Sequence, residues 1–139
     1  MSDFGKLLTA VITPFDNNGV LNTDTLWRLC KKLVHEKSDG VVLSGTTGES
    51  PNLTKEDRKI IYSTAKDSVG DKAKIIAGTG TYSTKESIEY TKMANDIGVD
   101  GIMIVTPYYS KPSQFGILQH FEQISKNTDL PIMAYNIPC

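Results

Sequence analysis

Five short apolar runs punctuate the chain: Leu7 to Ile12, Gly40 to Leu43, Lys74 to Ala77, Gly101 to Val105 and Leu130 to Tyr135. They recur about every 30 residues, the length of one βαβ unit. Within each run the apolar residues follow one another almost without interruption, as in parallel strands covered on both faces. The stretches between them carry helical periodicity. Leu26, Leu29, Cys30, Leu33 and Val34 fall at i, i+3, i+4, i+7 and i+8, one stripe of a half-buried helix. Thr54-Lys55-Glu56-Asp57 and Ser83-Thr84-Lys85-Glu86 each set an acid three positions after a capping hydroxyl, predicting two more helix starts with capping boxes. A fourth helix is predicted from Ser113 to Lys126, burying Leu118, Phe121 and Ile124. Strict alternation of strand and helix gives a parallel α/β fold. No linker, charge block or low-complexity stretch interrupts residues 1–139, which read as part of a single domain.

Two parallel architectures fit that alternation, a doubly wound sheet and a barrel. The dinucleotide-binding form of the first needs Gly-x-Gly-x-x-Gly after a strand, and Gly78-Thr79-Gly80 lacks the third glycine. The strand ends favour the second. They read Thr13-Pro14-Phe15, Gly45-Thr46-Thr47-Gly48-Glu49-Ser50, Gly78-Thr79-Gly80, Thr106-Pro107-Tyr108-Tyr109 and Tyr135-Asn136-Ile137-Pro138. Barrel enzymes carry their chemistry at these positions. Glycines let backbone amides approach a carboxylate, and hydroxyls donate to it or pass protons.

Charge and composition narrow the partners. Fifteen basic residues stand against sixteen acidic ones, a net charge of −1 with no basic cluster, so nothing attracts nucleic acid or an anionic membrane. Small molecules and other protein chains are left. The two cysteines, Cys30 and Cys139, lack the spacing of a disulfide framework or a metal site. Neither a signal peptide nor an apolar stretch of about 20 residues, the length of a membrane span, is present, and a cytoplasmic location is expected.

Taken alone, Gly45-Thr46-Thr47-Gly48 is a turn before a helix, and Tyr135 is a core tyrosine. Taken in order, the five strand-end segments resemble the pattern of the dihydrodipicolinate synthase and N-acetylneuraminate lyase family over essentially the whole chain. Thr106-Pro107-Tyr108-Tyr109-Ser110-Lys111-Pro112-Ser113-Gln114, followed by Gly116, His120 and Phe121, is similar to the synthase branch. The resemblance implies a (β/α)8 TIM barrel of class I aldolase type, of which this chain holds the first five strands and four helices. It implies that pyruvate condenses with a lysine amine, and that the resulting enamine attacks L-aspartate semialdehyde in lysine (diaminopimelate) biosynthesis. Such covalent catalysis divides one hard carbanion step into easier ones and needs a proton relay. No cofactor is implied beyond the lysine imine, and no metal.

By matching positions, Tyr135 is implied to be the general acid/base. Thr46 would link it to Tyr109, which in this family reaches into a neighbouring subunit, and Thr46, Thr47 and Gly48 would hold the pyruvate carboxylate. A homo-oligomer, a dimer of dimers, goes with that arrangement. Two alternatives stay open: an N-acetylneuraminate or keto-deoxy-sugar aldolase, and an inactive half-barrel serving as an assembly module. The family's lysine belongs at the end of the sixth strand, past Cys139. Lys111, in a loop beside Pro107 and Pro112, is expected to point into water. A truncated piece of a longer enzyme is therefore expected, inactive by itself and prone to associate because five strands leave two open edges. Lysine feedback is not expected, since Lys55 and Tyr82 stand where lysine-inhibited relatives present a histidine and an asparagine, although Glu86 is retained. His120 is read as a packed histidine, His35 as surface, and Glu49 as a buttress of its loop.

Overall fold

All five apolar runs become strands of one parallel sheet in a computed structural model that describes residues 4–137. The strands are β1 (Leu8–Ala10), β2 (Gly40–Leu43), β3 (Lys74–Gly78), β4 (Gly101–Val105) and β5 (Ile132–Tyr135). Between them lie α1 (Thr23–His35), α2 (Lys55–Val69), α3 (Thr84–Ile97) and α4 (Gln114–Ser125). Each strand pairs in parallel with the next one in sequence, in the order β1-β2-β3-β4-β5. A doubly wound sheet reverses direction at a switch point; this one does not, and it advances as a (β/α)8 barrel does. Pro138 of the last motif, Cys139 and residues 1–3 lie outside the described residues.

The core fills the space between sheet and helices. Leu26 and Cys30 of α1, Ile61, Tyr62 and Ala65 of α2, Ala94 of α3 and Ile124 of α4 pack with Val41, Ile75, Ile102 and Ile104 of the strands. Each fully buried aliphatic side chain contributes about 1.5–3 kcal/mol at most. Leu29, Leu33 and Val34 flank the stripe half-buried, as the periodicity predicts. Cys30 is wholly buried, and loss of solvation pushes its thiol up to about 11.

Several sequence expectations need correction. Leu7 and Ile12 fall outside β1, whose paired residues run from Leu8 to Ala10, and are 52% and 55% exposed, although the Leu7 carbonyl and the Val11 amide still bond the β2 segment. Leu130 and Pro131 precede β5; Pro131 has no amide to give the ladder, and the Leu130 amide is taken by Thr128 Oγ1 at 3.0 Å. Leu118 is 61% exposed. The inward stripe of α4 is Ile117, His120, Phe121 and Ile124, spaced i, i+3, i+4 and i+7, which turns Leu118 outward. The box at Thr54 and Asp57 is complete. At α3 Ser83 caps the Glu86 amide, but its own amide bonds Thr81 Oγ1 at 3.0 Å, so Glu86 does not close the second box. His120 is packed as expected, 2% exposed, with Nδ1 2.9 Å from Thr84 Oγ1, and His35 is exposed at the end of α1.

Candidate active site at the carboxyl ends of the strands

The chain leaves β2 through Ser44, a buried residue held at φ 52°, and enters the Gly45–Glu49 loop. Backbone bonds from Gly48 to Gly45, from Glu49 to Thr46 and from Ser50 to Gly45 wind this loop into a tight knot. Thr13, at the end of β1, donates its hydroxyl to the Gly48 carbonyl at 2.7 Å and fastens the knot to the neighbouring strand. Glu49, itself at φ 56°, accepts from Asn52 Nδ2 at 3.1 Å, the buttress role predicted for it. Gly78 and Gly80 continue the wall after β3. A Cβ on Gly78 would run into the Ser44 carbonyl, and one on Gly80 into the Val105 amide, so only glycine permits this closeness.

These strand ends surround a cavity of about 310 Å³. Met103, Val105 and Ile137 give it an apolar interior, and Thr46, Ser50, Tyr108 and Tyr135 are the hydroxyl-bearing residues of its lining. The Tyr108 ring meets Tyr82 edge-on at 5.6 Å, and desolvation pushes its phenol above the ordinary value. An apolar pocket with a few converging polar groups, at the carboxyl ends of parallel strands, is where this architecture binds small organic substrates. Among the described residues, no group of three or more His, Cys, Asp or Glu side chains is placed to hold a metal ion.

The predicted site residues divide. Thr46 and Tyr135, from the ends of different strands, line the same cavity. Gly48 is buried, whereas Thr46 and Thr47 are both exposed, and of the two only Thr46 lines the cavity. Tyr109 is 96% exposed at φ 66°, outside the cavity lining. Lys111 stands exposed in the same loop at φ 43°, as expected of a solvated lysine.

The family model for the dihydrodipicolinate synthetase family matches residues 3–139, the span that carries this cavity and all five strands. The chain belongs to the dihydrodipicolinate synthetase family. Among curated relatives, the 4-hydroxy-tetrahydrodipicolinate synthases of Desulforudis audaxviator and Moorella thermoacetica are each 52% identical, over 98% and 97% of this chain. This chain spans about half of their length, 46% of each. A solved dihydrodipicolinate synthase from Bacillus anthracis superposes with a TM-score of 0.96 at 45% identity, covering 99% of this chain and 47% of that one. The chloride-inhibited enzyme of Acinetobacter baumannii, solved in complex with pyruvate, gives 0.95 at 35% identity over 98% of this chain and 47% of that one. These superpositions bear out the barrel reading, with this chain supplying a contiguous half.

Against that family background, one group that the sequence reading passed over stands out. Arg58 of α2 is 2% exposed. Its Nη1 donates to the Gly78 carbonyl at 2.8 Å, its Nη2 to the Ser50 carbonyl at 2.7 Å and to Ser50 Oγ at 2.8 Å, and its guanidinium lies 4.6 Å from the Tyr90 ring centre. Tyr62 adds its hydroxyl to the same Gly78 carbonyl at 2.9 Å. A signal existed: Arg58, Ile61, Tyr62, Ala65 and Val69 form the inward stripe of α2, and a charged residue on such a stripe must find buried partners.

Proposed function

We propose that this chain is part of a 4-hydroxy-tetrahydrodipicolinate synthase, condensing pyruvate with L-aspartate semialdehyde in lysine biosynthesis. The observation that carries the reading is the meeting of Thr46 and Tyr135 on one apolar cavity at the carboxyl ends of the strands. Relatives bearing that name are 52% identical over nearly the whole chain, and the Acinetobacter baumannii relative binds pyruvate in its crystals. In this reading Thr46, Thr47 and Gly48 hold the pyruvate carboxylate through hydroxyls and amides. Tyr135 moves the proton while the imine forms and again when the enamine carbon attacks the aldehyde. Thr46 passes that proton toward Tyr109 of a neighbouring subunit, which accounts for an aromatic side chain left 96% exposed by its own chain.

The imine-forming lysine belongs to a sixth strand outside these residues, and no other cofactor is needed. The working enzyme is then a homo-oligomer acting in the cytoplasm. Among the described residues no helix is long and apolar enough to cross a membrane.

Borohydride trapping tests the assignment. Residues 1–139 treated with pyruvate and borohydride should gain no mass. The same chain joined to the second half of the Desulforudis audaxviator relative should gain one reduced pyruvate adduct. A stoichiometric adduct on the short chain would place the lysine within it. Faster turnover of N-acetylneuraminate or a keto-deoxy sugar than of L-aspartate semialdehyde by the joined chain would replace the synthase reading with a sugar aldolase.

A further inference from the structure

Arg58 presents a combination that simple packing does not explain. It is a cation 98% removed from solvent by the exposure of its residue, yet among the described residues no carboxylate oxygen lies within 4.0 Å of its guanidinium. Its partners are carbonyls, one hydroxyl and an aromatic face. Carbonyls and a ring stabilise a guanidinium without cancelling its charge. A helix that needed only packing at this inward position would carry an aliphatic residue there, as it does at Ile61, Ala65 and Val69.

The location of those partners gives the charge a purpose. Gly78 and Ser50 both line the cavity, one from the end of β3 and one from the exit of the Gly45–Glu49 loop. Arg58 bridges them from behind, just beyond the last paired residues of β2 and β3, and the two carbonyls hold its guanidinium against both. Its charge also reaches a third wall: desolvation raises the Tyr108 phenol, and Arg58 works against that rise while the Glu86 carboxylate adds a smaller push upward. Beside a largely apolar cavity wall a fixed positive charge favours an anion more than it would in bulk water.

We propose that Arg58 is a positioning residue for an anionic substrate: held between the Gly78 and Ser50 carbonyls at the back of the cavity, its unpaired charge draws a small carboxylate in. This rests on the synthase reading only in taking that carboxylate to be the one on pyruvate. Arg58 touches no reacting atom and takes no part in proton transfer, so its removal weakens substrate binding in ground state and transition state alike. That pattern raises KM and spares kcat.

The test uses the chain joined to the second half of the Desulforudis audaxviator relative, with KM and kcat measured for each substrate. Arg58→Gln should raise the pyruvate KM at least tenfold, on the order of one charge interaction in a partly desolvated site, while kcat and the aldehyde KM move less than about threefold. Arg58→Lys, which keeps the charge and loses the fork, should keep the pyruvate KM within about threefold of wild type. A pyruvate KM within about twofold of wild type in the glutamine variant overturns the inference, as does a lysine variant as impaired as the glutamine one. If the glutamine variant lacks native circular dichroism, the lysine variant decides alone, and a tenfold rise there removes the charge from the account. An unsubstituted joined chain that traps no pyruvate would instead overturn the synthase reading, and this inference with it. Intact trapping with an unresponsive Arg58 series would sink only this one.

Discussion

Tyr135 faces the cavity of its own chain, whereas Tyr109 is 96% exposed with a left-handed φ of 66°. A bulky side chain in that backbone region is uncommon, and among the described residues nothing buries it. If Tyr109 completes a neighbour's relay, Tyr109→Phe in the joined enzyme should lower kcat by roughly 10²-fold, the scale of a lost acid-base group, with pyruvate KM much less changed. Mixing that variant with Tyr135→Phe should then restore part of the activity once subunits exchange, since some mixed dimers carry both lesions in one site. No rescue despite verified exchange would keep Tyr109 within its own chain. His120 supports a prediction of a different kind. Burial holds its pKa below the ordinary 6.5, so the folded state keeps it neutral while the unfolded chain protonates it. Its contribution to stability is complete above 6.5 and is lost as pH falls through the lower folded value. Thermal unfolding should therefore show Tm falling as pH drops from 6.5 toward the lower folded value, and His120→Asn should flatten the slope there; identical slopes would clear His120 of the effect. The packed state of His120 was legible because it follows from helical spacing. Arg58 was not, because its partners are backbone carbonyls brought from distant segments, which no local pattern encodes.

Helix starts show how far local pattern reaches. Thr54 and Asp57 satisfy each other's amides at the head of α2, whereas Ser83 at the head of α3 turns its amide to Thr81. Asp57→Ala should thus cost about 1 kcal/mol in urea unfolding, and Glu86→Ala should stay within about 0.5 kcal/mol. Equal losses would mean that Glu86 caps α3 after all. The two tetrapeptides look alike in sequence; Thr81, buried beside Ser87, makes the difference. Strand cores were readable because two-sided burial demands continuous apolar residues, and β2 and β4 begin and end where the pattern predicts. Their ends were less so at β1 and β5, where the reach of the ladder and a proline decide the boundary. In α4 the apolar residues Phe115, Ile117, Leu118, Phe121 and Ile124 allow more than one stripe, and packing against α3 selects the one through Ile117 and His120.

At the scale of the molecule, sequential pairing leaves β1 and β5 with a neighbour on one side only among the described residues. Unpaired edges invite association. Sedimentation velocity on residues 1–139 should show mass increasing with concentration, and adding the second half of a relative should suppress that self-association by occupying both edges; a monomer at every concentration would show that the edges are covered in another way. The parallel α/β class followed from periodicity, but the choice of barrel over doubly wound sheet rested on strand-end chemistry, because strand order is a long-range property. The burial of Cys30 gives this molecule a clock. A thiol at about 11 in a residue with no solvent exposure cannot meet a disulfide reagent until α1 lifts away from the sheet. In a Cys139→Ser background, the rate at which 5,5′-dithiobis-(2-nitrobenzoate) reacts with Cys30, divided by its rate in urea, reads the equilibrium constant for opening the core without any denaturant present. The same ratio, taken before and after the second half-barrel is added, measures in one chemical reaction how firmly one half of the barrel locks the other.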